Sequence, residues 1–93
     1  MGISVEVWNE IESPLVEDRV DFFRLPSEVI SNPEFPLLQW VDPWGAAVFN
    51  GRQCESLLLE LDRLPSSDVV EKVKMFARKC SLEGHTYLVF LGD

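Results

Sequence analysis

Thr86-Tyr87-Leu88-Val89-Phe90-Leu91, close to the end of the chain, is apolar on both of its alternating faces except at Thr86. A strand of that kind is expected inside a sheet and covered on both sides, because only there do both faces leave water. The final residues are therefore read as core, and the preceding chain must supply the strands and helices around them.

Immediately upstream the apolar period changes from 2 to 3.6. Val69, Val70, Val73, Phe76, Ala77 and Cys80 predict a helix over 67–82, capped by Ser66 or Ser67. Asp68 in its first turn and Arg78 and Lys79 in its last complement the helix dipole. Asp68 is also placed to pair with Lys72, and Gly84 suits a left-handed residue closing the region. Cys54, Leu57, Leu58, Leu61 and Leu64 carry the same period over 51–64. Arg52, Glu55, Ser56, Glu60, Asp62 and Arg63 fall mostly on the other side, and Pro65 stops the helix. Asn50 reads as its N-cap, with Gln53 as the reciprocal partner of a capping box.

Further out, Ile3, Val5 and Val7 alternate with Ser4, Glu6 and Trp8, which predicts a half-buried strand near 3–8. The stretch to Pro36 is broken by Pro14, Pro26, Pro33 and Pro36. It leaves 20–25 as a second strand and Pro26–Ser31 as one helical turn. Residues 37–42 and 46–49 read as a hairpin around Asp42-Pro43-Trp44-Gly45, whose residue types are those of a type I turn. The whole predicts a single α+β domain over 1–93. Its small antiparallel or mixed sheet, with strands near 3–8, 20–25, 37–42, 46–49 and 86–91, packs on two helices at 51–64 and 67–82.

The 93 residues, 46% hydrophobic and 11% aromatic, suffice for one core. The N-terminus has no basic leader, no run approaches the roughly 20 apolar residues of a membrane span, and Glu6 stands where a myristoylation pattern wants Ser or Thr. A cytoplasmic protein without membrane attachment is expected.

Charge narrows the partners. Of the formal net charge of −8, residues 1–34 hold −6: Glu6, Glu10, Glu12, Glu17, Asp18, Asp21, Glu28 and Glu34 against Arg19 and Arg24. Such a field repels phosphate backbones and attracts basic proteins, so direct nucleic-acid binding is disfavoured. The same charge also keeps a small protein soluble.

Reactive side chains are few. Cys54 and Cys80 lie on the apolar stripes, where free buried thiols belong in a reducing compartment. Two cysteines and His85, the one histidine, fall short of a four-ligand zinc site, so no metal is expected. A nucleophilic dyad would join Cys54, in the first turn of a helix, to His85. Cys54 shares its face with Leu57, Leu58 and Leu61, so an inert thiol is the stronger reading. Glu17-Asp18 with Asp21 could do acid–base work, but in a chain of 16 acids they read as solvated surface or as a docking patch. The five glycines are scattered, and none forms a phosphate loop. No catalytic residue and no cofactor is assigned.

Trp40, Phe76, Tyr87 and Phe90 fit core positions, whereas Trp8, Phe35 and Trp44 fall at a polar face, a proline-flanked loop and a turn. Aromatic anchors ringed by charge are the composition of a protein-binding hot spot. The expected partner-binding set is Trp8, Glu17, Asp18, Asp21, Phe35, Trp44 and His85, with a lid over the sheet edge as the alternative role of Trp44.

Val41-Asp42-Pro43-Trp44-Gly45-Ala46-Ala47-Val48-Phe49-Asn50, with Gln53, and the ending His85-Thr86-Tyr87-Leu88-Val89-Phe90-Leu91-Gly92-Asp93 resemble a group of small uncharacterised bacterial proteins. These share an Asp-Pro-aromatic-Gly turn, a Val-Phe-Asn and a terminal Tyr-Leu-x-Phe-x-Gly-Asp. Ala46 and Ala47 depart from that pattern, which has an acid followed by Thr there. The resemblance implies no activity, and it associates the chain with bacterial conflict systems. Together these readings predict a non-enzymatic protein-binding module, a stoichiometric inhibitor or immunity-type partner of a larger basic toxin or nuclease. The alternatives are a structural or adaptor protein acting as a homodimer or larger oligomer, and a small-molecule sensor with a pocket beside His85.

Overall fold

The terminal apolar strand does sit inside a sheet. In the computed structural model, which describes residues 2–9 and 19–92, the strands are β1 (Ile3–Asn9), β2 (Arg19–Phe23), β3 (Ala46–Asn50) and β4 (Thr86–Leu91). They form one antiparallel sheet in the order β2-β1-β4-β3, packed on helices α1 (Gly51–Leu61) and α2 (Asp68–Leu82). The α+β architecture is as the sequence predicts.

Alternation decides the two faces of the sheet. Val5 and Val7 of β1, Ala47 and Phe49 of β3, and Leu88 and Phe90 of β4 face the helices. There they meet Leu57, Leu61, Val73, Phe76 and Ala77, and Phe90 holds Phe23 and Phe49 at 5.6 Å between ring centroids. Coverage on both sides is corrected: among the described residues the helix layer lies on one face only. Val89, on the other face, is nonetheless buried between Glu6 and Val48 of the flanking strands.

The helices follow their local signals. Asn50 Oδ1 accepts the Gln53 N–H and Gln53 Oε1 accepts the Asn50 N–H, both at 2.9 Å, completing the expected capping box. Ser67 caps α2 through the Val70 N–H. Helix α1 ends at Leu61 rather than 64, because tighter bonds from Arg63 to Glu60 and from Leu64 to Leu61 take over before Pro65. The Asp68–Lys72 pair does not form. Lys74 instead bonds Asp62 at 2.7 Å and Glu71 at 3.2 Å.

Three further expectations are corrected. Residues 37–42 are not a strand: Leu38–Trp40 is a 3₁₀ turn, and β3 pairs with β4 instead of with a hairpin partner. The reason is Glu60, placed by its neighbours on the polar side of α1 yet buried, whose carboxylate accepts the N–H groups of Leu37 and Leu38 at 2.9–3.1 Å. Residues 26–31 form turns rather than a helical turn, and the left-handed residue before β4 is His85 (φ 60°), not Gly84.

Candidate protein-binding surface

The cysteine–histidine route is closed by position. Cys54 is fully buried, its sulfur directed at the Phe49 carbonyl at 3.9 Å, while His85 is exposed beyond the end of α2, so the two form no dyad. Contact with the Cys80 thiol, and then burial, push the Cys54 thiol up and leave it protonated. The hollow beside His85 is shallow, about 450 Å³, and is walled by Gly51, Arg52, Glu55 and Glu83, so opposed charges share it. Among the described residues no group of three His, Cys, Asp or Glu side chains is placed to hold a metal ion. No helix among them is long and apolar enough to cross a membrane.

On the helix-free face the acids of β1 and β2 are committed to Arg19, Ser4 and Trp8. Glu6 is 2% exposed, and its carboxylate accepts the Trp8 indole N–H at 2.6 Å and the Arg19 guanidinium. Asp21 accepts the Ser4 hydroxyl at 2.8 Å and two Arg19 N–H groups at 3.1–3.2 Å. The Ser4 hydroxyl and the Arg19 guanidinium hold the Asp21 carboxyl below the ordinary carboxylate range. Trp8 is thereby half-buried beside Tyr87, which shares that face instead of the core position expected for it.

The expected partner-binding residues thus separate. Phe35 is corrected to core: it is 9% exposed, under the Arg63 guanidinium at 4.1 Å. Trp8 and His85 lie at one end of the sheet, Asp21 on its helix-free face and Trp44 at the opposite end. Glu17 and Asp18 lie outside the described residues. Trp44 is 68% exposed, so it is no lid over the core.

A different set of aromatics is exposed. Pairing of Ile3 with Phe23, Ser4 with Leu91 and Ala46 with Leu91 puts the end of β2 and the start of β3 at the same end of the sheet. Three strand spacings separate them, about 14 Å. The connection 24–45 joins the two edges there, and Gly92 closes on it, its N–H bonding the Gly45 carbonyl at 2.6 Å. A Cβ at Gly92 would lie 2.2 Å from the Pro43 carbonyl oxygen, so only glycine permits that approach. From this end and its connection Phe22, Trp40 and Trp44 project into solvent, 72%, 71% and 68% exposed, and the same connection carries the exposed acids Glu28, Glu34 and Asp42.

Phe22 is held there at a cost. The β1–β2 register slips by one residue between Ile3 and Val5, and Phe22 takes up the slack in the left-handed region at φ 66°. That conformation is uncommon for any side chain and strained for a bulky one. The bulge buries Phe23 completely and turns Phe22 outward. Sequence reading missed Phe22 and assigned Trp40 to the core. The available signal was that consecutive Phe22 and Phe23 cannot both face inward on one strand. No family model, no curated protein and no solved structure matches the chain.

Proposed function

We propose that this chain is a non-enzymatic protein-binding module, a stoichiometric inhibitor or immunity-type partner of a larger basic protein, such as a toxin or nuclease, in the cytoplasm of a bacterial conflict system. The observation that carries the reading is the exposure of Phe22 at the end of β2 and of Trp40 and Trp44 on the 24–45 connection, which also carries the exposed acids Glu28, Glu34 and Asp42. Exposed aromatics supply anchors that bury large area on contact, and the net charge of −8 steers a cationic partner and disfavours an anionic one. Strain at Phe22 supports the reading, since an outlier of that kind persists where the surrounding structure over-determines it.

The test is titration of the full chain against a panel of purified basic nucleases and toxin domains. One-to-one binding to a panel member is expected, weakening as salt rises past about 0.1 M, where charges beyond about 10 Å become screened. Exchanging Trp40 and Trp44 together for Ala is expected to weaken it about 100-fold, the scale of a lost hot spot. A partner held equally at all salt concentrations, and indifferent to that exchange, would refute the proposal.

A further inference from the structure

We propose that the edge of β3 is where the partner docks, by adding an extended cationic segment as a fifth strand; this rests on the binding-module reading and specifies its geometry. The Gly92-to-Gly45 bond sets the phase of the ladder, so residues 45, 47 and 49 turn their backbone groups toward β4. Ala46 and Val48 therefore turn their N–H and C=O groups to the outer edge, which no other described strand covers. Asn50 follows the same phase, and its N–H is taken by Gln53 instead.

The two edges of the sheet are treated differently. On β2 the charged Arg19 and Asp21 and the Phe22 bulge are devices that discourage a further strand. On β3, Ala46-Ala47-Val48-Phe49-Asn50 has no charge and no proline, and its register runs unbroken from Ala46 opposite Leu91 to Asn50 opposite Tyr87. The Ala46 and Val48 side chains are exposed, Val48 by 57%. Trp44 stands two residues upstream, at the end of that edge. Beside the downstream end lies a groove of about 500 Å³ lined by Pro36, Leu37, Leu59 and one cation, Arg52, and joined to Asn50 through Gln53.

Charge complementarity selects the occupant. Two copies of a chain with net charge −8 repel, and no cation between Asp42 and Gly51 offsets that repulsion along the edge. A strand with Lys or Arg at alternate positions is attracted to the same field, while its intervening apolar residues meet Val48.

The probe is a capped nine-residue peptide alternating lysine and valine, with a glutamate–valine peptide as control, added to the full chain. Amide hydrogen exchange is expected to slow about tenfold at Ala46 and Val48 and to stay unchanged at Ala47 and Phe49. Val48→Pro removes an edge donor without touching a bond to β4, and Val48→Lys keeps the donor but places a charge on the edge. Val48→Pro is expected to weaken the lysine peptide about tenfold, the worth of one or two backbone bonds, and Val48→Lys to weaken it about as much through like charge, each in a chain that still unfolds cooperatively. Binding of the lysine peptide that leaves both edge amides unchanged, equal binding of the glutamate peptide, or a dimer by light scattering that Val48→Lys dissolves would each overturn the assignment. A basic protein that loses the Trp40→Ala, Trp44→Ala double variant but binds Val48→Lys normally would end strand addition and leave the module reading standing. The lysine peptide held by the edge, with no basic protein sensitive to the tryptophans, would do the reverse.

Discussion

Glu60 shows how one side chain redirects a segment. Its sequence neighbours Asp62 and Arg63 placed it on the polar face of α1, yet it is 6% exposed and is the acceptor for two backbone N–H groups that a strand at 37–42 would have used in a ladder. Glu60→Ala leaves both donors without an acceptor, and a loss of about 2–3 kcal/mol is expected, read as a lowered urea midpoint. Phe22 has the opposite sign. Phe22→Gly removes a left-handed strain of about 1–2 kcal/mol, and the chain entropy of glycine returns part of that, so a net gain of about 0.5 kcal/mol is expected in thermal unfolding. The same exchange is expected to weaken the partner, and stability rising while binding falls would mark the strain as functional. Neither role was legible beforehand, because each depends on what lies across the fold and not along the chain.

At the scale of elements, local signals were reliable where one neighbour decides. The capping box at Asn50 and Gln53 and the cap at Ser67 were legible because the hydrogen bonds close within three residues. Asn50→Ala is expected to cost about 1 kcal/mol in urea unfolding, close to the usual worth of such a cap. The Asp42–Gly45 turn was legible too: Asp42 Oδ1 accepts the Trp44 N–H at 2.8 Å, and the Gly45 N–H closes on the Asp42 carbonyl at 3.2 Å. What it connects was not, since a turn does not specify which strands pair. The helix pair holds both thiols in one buried contact, from α1 and from α2. Neither is expected to react with a disulfide reagent in the folded chain, and two per molecule are expected to react in urea. A count of zero in urea would mean that they are joined.

For the whole molecule, charge and topology act together. Asp21, held low by Ser4 and Arg19, contributes stability that is present above the unfolded value of about 3.9 and is lost as pH falls through the folded one. Lys74, raised by Asp62 and then Glu71, contributes stability fully present below about 10.4 and lost as pH rises through its folded value. A plateau in the urea midpoint is therefore expected between about pH 5 and pH 10, with shallow losses on either side because solvent screens both groups. Asp21→Asn is expected to flatten the acid limb alone. By itself the sequence determined the class of fold, both helices, the interior place of 86–91 and the sign of the field, because periodicity, capping and charge are properties of neighbours along the chain. Only the tertiary structure decided that 37–42 coils, that Phe35 is covered while Trp40 is bared, and that β3 is an open edge among the described residues. Pairing, burial and exposure are settled between segments far apart in the chain, where the buried Glu60 and the Gly92 contact outweigh local preference.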